Sequence, residues 1–305
     1  MYQEHFHLST HPFGLTPDTR FFHALPAYRE ALNVLFIALQ SGEGFIKITG
    51  NVGTGKTLLC RKLLNNLSAP FISAYIPNPH LTPNGLRMAI ADELGIQYTV
   101  NTAEHQLLKL INTFLIEAAM QGKKPVLIID EAQAMPIETL EALRLITNLE
   151  TETQKLLQIV LFGQPELDQL LQNKVIRQLR QRITFSYALK PLSAQNVADY
   201  IQHRLRVAGA NNPWLFSPWA SKAIHYFSRG IPRLVNILAH KALISAYGKG
   251  SASVGLKQVY FAALDTEDTK ASLRLRQFAK QASLGLFLLI IAYLGVSKMG
   301  AYEFN

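Results

Sequence analysis

The chain has 305 residues, 49% of them hydrophobic and 17% charged, enough for one large packed domain or two smaller ones. Its single cysteine, Cys60, excludes an intrachain disulfide framework and a cysteine-based zinc cluster, and suits a small buried apolar role in a reduced compartment. The net charge of +9 is uneven: residues 1–160 carry 12 Lys/Arg against 14 Asp/Glu, residues 161–305 carry 18 against 7, and such a surplus serves nucleic acid, anionic lipid or arginines aimed at phosphates.

The opening residues lack a basic stretch followed by an apolar run, so no cleavable signal peptide is expected. A helix is predicted near 25–41, with Ala27, Ala31, Val34, Leu35 and Ala38 at helical spacing. An apolar strand follows at 44–49 and runs into Gly50-Asn51-Val52-Gly53-Thr54-Gly55-Lys56-Thr57. This is a complete G-x-x-x-x-G-K-[ST] phosphate loop. Glycines let the backbone turn its N–H groups toward phosphate oxygens, and a helix starting near Lys56 adds its positive end. Lys56 supplies a mobile charge for the β- and γ-phosphates, and the Thr57 hydroxyl can ligate Mg²⁺. The implied ligand is a nucleoside triphosphate.

The loop helix extends to about 67, then a β-rich stretch covers Phe71–Ile76. Helices are predicted at 82–94 and 102–121. Val126–Asp130 reads as a strand buried on both faces, which puts Asp130 at its C-terminal end, where open α/β sheets bind ligands. Asp130 would hold Mg²⁺, and Glu131 would orient and polarise the attacking water. A helix near 137–149 precedes the strand Leu156–Phe162. Gln164 lies just past that strand, within reach of a γ-phosphate or its water. One helix is predicted over 165–180 and a strand over Ile183–Leu189, with Arg177, Arg180 and Arg182 crowded between them. From Ser193 onward the pattern is helical, with Ser193, Ser217 and Ser253 as N-cap candidates. Gly230-Ile231-Pro232-Arg233 opens one of these helices, and Arg233 in its first turn conflicts with the helix dipole unless an anion compensates.

Residues 281–297 carry no charge and sit at the short limit for a membrane span. Lys270, Arg274, Arg276 and Lys280 precede them, while Lys298 alone follows before Glu303. Positive-inside bias then predicts the preceding residues in the cytoplasm and a single-pass anchor whose basic flank meets anionic lipid.

The phosphate loop, the Asp130-Glu131 pair, Gln164, the arginines before strand 183–189 and Gly230–Arg233 together resemble an AAA+ ATPase. The resemblance implies Walker A, Walker B, sensor 1, arginine-finger and sensor 2 roles in that order, with Arg182 preferred over Arg180 as the finger. His11-Pro12-Phe13-Gly14-Leu15-Thr16-Pro17-Asp18 and Phe162-Gly163-Gln164-Pro165-Glu166-Leu167 are narrower, and resemble the ExeA/GspA branch over residues 1 to about 265. That branch serves type II secretion and type IV pilus assembly, including pili of the mannose-sensitive haemagglutinin type. It implies ATP and Mg²⁺ as cofactors, a homo-oligomer with ATP at subunit interfaces, and inner-membrane assembly proteins as partners.

The expected architecture is an α/β P-loop domain with a helix-covered parallel sheet over 1–190, including an N-terminal extension. A helical lid over 191–265, a basic linker over 266–280, a transmembrane helix over 281–297 and a short tail over 298–305 complete it. Two other readings stand beside an envelope-assembly ATPase: a DNA-binding ATPase of the transposition-helper type, and a nucleotide-binding scaffold with little hydrolysis.

Overall fold

A computed structural model describes residues 2–99, 101–147 and 155–269. The expected linker and membrane helix, 270–297, and the tail lie outside them apart from Thr266–Thr269. Among the described residues, no helix is long and apolar enough to cross a membrane.

Short helix α1 (Tyr2–His5) and a 3-10 turn at Thr19–Phe21 precede helix α2 (Pro26–Gln40). Then come β1 (Phe45–Gly50), α3 (Lys56–Asn66), β2 (Phe71–Ile76), α4 (Pro83–Glu93), α5 (Glu104–Met120), β3 (Lys124–Ile129) and α6 (Ile137–Ile146). The sheet region ends with β4 (Gln158–Gly163), α7 (Glu166–Leu170), α8 (Arg177–Arg182) and β5 (Ile183–Leu189). Four helices close the described chain: α9 (Ala194–Val207), α10 (Pro218–Ser228), α11 (Pro232–Tyr247) and α12 (Leu256–Leu264).

The five strands form one sheet in the order β2-β3-β4-β1-β5, with every pairing parallel. Strand alternation divides the core in two. Val126 and Ile128 of β3, with Val160 and Phe162 of β4, face α2 and α3. Leu127 and Ile129, with Ile159 and Leu161, face α4, α5 and α6. Burial on both faces explains the unbroken apolar runs of these central strands. Cys60 is fully buried within the first layer, in the apolar role expected of it.

Two expected details change. The helix expected over 165–180 breaks at Asn173, whose side chain accepts from the Val175 N–H and starts a new turn. Ser193 and Ser217 do cap α9 and α10. Ser253 does not cap α12: Val254 is held extended by a bridge to Phe216, and the helix starts after Gly255, whose N–H is bound by the Gln258 side chain.

The opening segment, expected as an extension of the sheet domain, also packs on the helices. Tyr2 bonds His240, Ser9 bonds Ala208, and buried Arg204 donates to the carbonyls of Pro12 and Gly14 and to the Tyr200 hydroxyl. Arg204 also lies over the Phe21 ring at 4.6 Å. The segment is therefore a strap from α9 and α11 to α3, whose Arg61 donates to the Pro17 carbonyl, and it is fixed by a buried arginine that donates from all three of its nitrogens.

Candidate nucleotide site

The phosphate loop begins where β1 leaves the sheet and ends where α3 starts. Gly50 cannot carry a side chain: a Cβ there would lie 2.7 Å from Thr54 Oγ1 and 3.0 Å from Leu189 Cβ. Gly53 and Gly55 have φ of +79° and +92°, a region that L side chains rarely adopt. Asn51 accepts from both the Thr54 amide and its hydroxyl. Val52 is exposed at the tip of the loop. Tyr28 of α2 props the loop from below, donating its hydroxyl to the Thr54 carbonyl at 2.7 Å.

Lys56 is 5% exposed, and its ammonium donates to the carbonyls of Gly50 (2.8 Å) and Asn51 (3.3 Å). Burial pulls its pKa down, and the carboxylates of Glu131, Asp130 and Glu166 work against that shift. Asp130 follows β3 and is 2% exposed. Burial pushes its carboxyl above the usual range, and bonds from the Thr57 hydroxyl and the Glu131 N–H oppose that rise. Two oxygen donors, Asp130 and Thr57, thus meet beside Lys56. This pairing of a buried carboxylate with a hydroxyl fits Mg²⁺, which prefers oxygen and takes few protein ligands.

Glu131 adopts φ +51°, a left-handed backbone unusual outside glycine. Its Oε2 accepts from Gln133 Nε2 at 2.6 Å and from Gln164 Nε2 at 3.0 Å. Burial alone would raise its pKa, but the Gln164 and Gln133 amides and the Lys56 charge outweigh it, so the carboxyl lies below its ordinary range. Gln133 Oε1 in turn accepts from the Gln164 amide N–H at 2.9 Å. Gln133 thereby joins the ends of β3 and β4. Its only sequence signal is its position two residues after Glu131.

Arg233 stands at the second position of α11, and its backbone N–H donates to the Gly53 carbonyl at 3.1 Å. A cleft of about 210 Å³ runs between the phosphate loop, the strap and α9/α11, lined by Lys56, Thr57, Glu131, Gln164 and Arg233 among others. The strap contributes Leu15, Phe22 and His23 to its wall, groups suited to a flat apolar ring.

The arginines before β5 lie elsewhere. Ile183 pairs with Phe45 at the start of β1, whereas Leu189 pairs with Gly50. The end of α8 is therefore about 17 Å along the sheet from the phosphate loop, at about 3.3 Å per residue. Arg180 is exposed, while Arg182 is half-buried and donates to the Thr147 hydroxyl at 3.3 Å. None of Arg177, Arg180 and Arg182 lines the cleft.

Residues 39–171 match the profile of the AAA domain family. A curated relative, general secretion pathway protein A of Aeromonas hydrophila, is 45% identical over 254 residues, or 83% of this chain. The chain is a homologue of general secretion pathway protein A with an AAA-type ATPase domain. It spans about half of that relative, 46% of its length. Among solved structures, Cdc6p from Pyrobaculum aerophilum superposes with a TM-score of 0.62 at 20% identity, covering 81% of this chain and 70% of its own. The ORC2 protein of Aeropyrum pernix, in ADPNP–ADP complexes, gives 0.60 at 17% identity, covering 79% and 67%. These likenesses establish the α/β P-loop AAA-type fold.

Proposed function

We propose that the chain hydrolyses ATP to drive assembly of a type II secretion machine or a related type IV pilus, from the inner face of a membrane that residues 281–297 span. The observation that carries this reading is the convergence of Lys56, Thr57, Glu131, Gln164 and Arg233 on one cleft, with the buried Asp130 carboxylate bonded to the Thr57 hydroxyl. The relative's name, general secretion pathway protein A, directs the activity toward secretion.

In this reading the loop N–H groups and Lys56 grip the phosphates. Asp130 and Thr57 would hold Mg²⁺, which would supply charge neutralisation at the phosphates. Glu131 accepts a proton from the attacking water, and the two glutamine amides keep its carboxylate ionised and aimed. Arg233 brings a second positive charge from the helical region, which makes α9–α12 a lid over the nucleotide. Arg180 is exposed and far from its own phosphate loop, so it completes the site of a neighbouring subunit, and ATP joins copies into an oligomer.

ATP turnover by the purified full chain tests this reading. Glu131→Gln should retain ATP binding and lose hydrolysis. Unchanged hydrolysis in Glu131→Gln would remove the catalytic assignment. Steeply salt-dependent DNA binding would favour the transposition-helper reading instead.

A further inference from the structure

The helical region carries an apolar surface that neither its core nor the nucleotide cleft uses. Helix α12 buries Val259, Ala262 and Ala263 against its neighbours, yet its opposite side presents Leu256, Tyr260, Phe261 and Leu264 to solvent. Phe227 of α10 joins Leu256, Tyr260 and Phe261 around a shallow apolar hollow. On α10, Trp219, Lys222 and Tyr226 follow helical spacing along one exposed face. The bridge between Phe216 and Val254 ties the segment before α10 to the start of α12, and brings exposed Trp214 alongside. Both tryptophans of the chain are therefore on this region and open to solvent, Trp214 at 65% and Trp219 at 70%.

Lysines accompany the rings. Lys222 lies over Trp219 at 5.0 Å and Lys249 over Phe261 at 4.5 Å, while Lys257 lines the hollow. Asp265, at the end of α12, is paired with Lys241; Glu267 and Asp268 follow it. Exposed Trp and Tyr beside Lys is the composition of a surface seated at headgroup level: the rings enter the acyl boundary and the ammonium groups meet anionic headgroups.

The chain itself brings a bilayer close. Eleven residues, 270–280, separate the last described residue from the uncharged run 281–297, and they include Lys270, Arg274, Arg276 and Lys280. Fully extended, they reach at most about 40 Å. A span at 281–297 thus holds α12 near the membrane at high effective concentration, where a weak surface suffices. The run 281–297 is a poorer occupant of the hollow, because a helix apolar on all sides would leave most of its surface in water.

We propose that the α10–α12 face docks on an anionic lipid bilayer and lays the helical region against the membrane. The tether argument rests on the span reading above; the surface does not. The full chain would be mixed with phosphatidylglycerol–phosphatidylethanolamine vesicles, with and without brominated acyl chains, and its tryptophan emission recorded. Residues 270–305 contain no tryptophan, so the signal comes from Trp214 and Trp219 alone. Trp214→Phe isolates Trp219.

Docking predicts that brominated lipid removes roughly half or more of the emission. It also predicts that Lys222→Glu combined with Phe261→Ser restores most of that emission while ATP binding persists. Carbonate extraction reads the span separately. Carbonate-resistant protein with no quenching overturns the docking and leaves the span. Extractable protein that is still quenched upholds the docking and removes the span. An emission shift that grows with protein concentration without lipid, and no quenching with it, assigns the face to a second copy and overturns the proposal.

Discussion

Gln164 Nε2 donates to Glu131 Oε2 at 3.0 Å, joining the ends of two adjacent strands across 33 residues of sequence. The bond stabilises the charged form of Glu131, so removing it lets burial raise that pKa. In Gln164→Leu, kcat should fall about 10- to 100-fold, with ATP affinity little changed. The acid limb of the pH–rate profile should move upward. Steady-state rates across a pH series check both, and an unmoved acid limb would remove the bond from the mechanism.

Asp130 gives the opposite sign. Its folded pKa is raised, so its favourable contribution is fully present below the unfolded value of 3.8 and is lost as pH rises through the folded value. At neutral pH without nucleotide the ionised carboxylate is a net cost. Asp130→Asn should raise the melting temperature of the nucleotide-free protein at pH 7 and leave it unable to hydrolyse ATP. Calorimetry with and without Mg²⁺ and ATP checks this, and wild-type protein should gain more stability from them than the variant.

Arg180 and Arg182 separate by exposure. Arg180→Ala should reduce turnover by about 10³-fold or more if it acts on a neighbour's phosphates. Arg182→Ala, which loses a bond to Thr147, should act mainly through stability. Mixing Arg180→Ala with Lys56→Ala should restore part of the rate, because some interfaces then hold an intact loop and an intact arginine. Equal loss in both arginine variants, without recovery on mixing, would count against a finger at Arg180.

Gly230 has φ +73°, and a Cβ there would meet the Leu192 carbonyl oxygen at 2.1 Å. Neither backbone can yield cheaply, since Leu192 N–H also donates to the Gly230 carbonyl at 2.8 Å. Gly230→Ala should destabilise the helical region by roughly 1–3 kcal/mol. Thermal unfolding checks this, and Gly42→Ala, where a Cβ meets nothing within 4 Å, should cost less.

The strands were readable because burial on both faces leaves no polar alternation, as in Val126–Ile129 and Ile159–Phe162. The phosphate loop and Asp130 were readable because their residue types are dictated by local chemistry. Tyr28 and Arg204 were not, because each acts through a contact 26 or 192 residues away, and neither was the link from Gln133 to Gln164, which spans 31 residues. The break at Asn173 leaves no mark on the apolar pattern, because Leu170, Leu171 and Val175 continue a helical rhythm across it. Arg182 lies nearest β5, and the hydroxyl of Thr147 that engages it belongs to a distant helix end.

The link from Arg233 to Gly53 runs through a peptide N–H, so it belongs to the main chain and not to the guanidinium. The bond between α11 and the loop can thus be cut independently of the charge. Arg233→Ala takes away the cation and leaves the joint; Arg233→Pro takes away the donor as well. Comparing the two divides what α11 does through its charge from what it does through its main-chain contact with the loop.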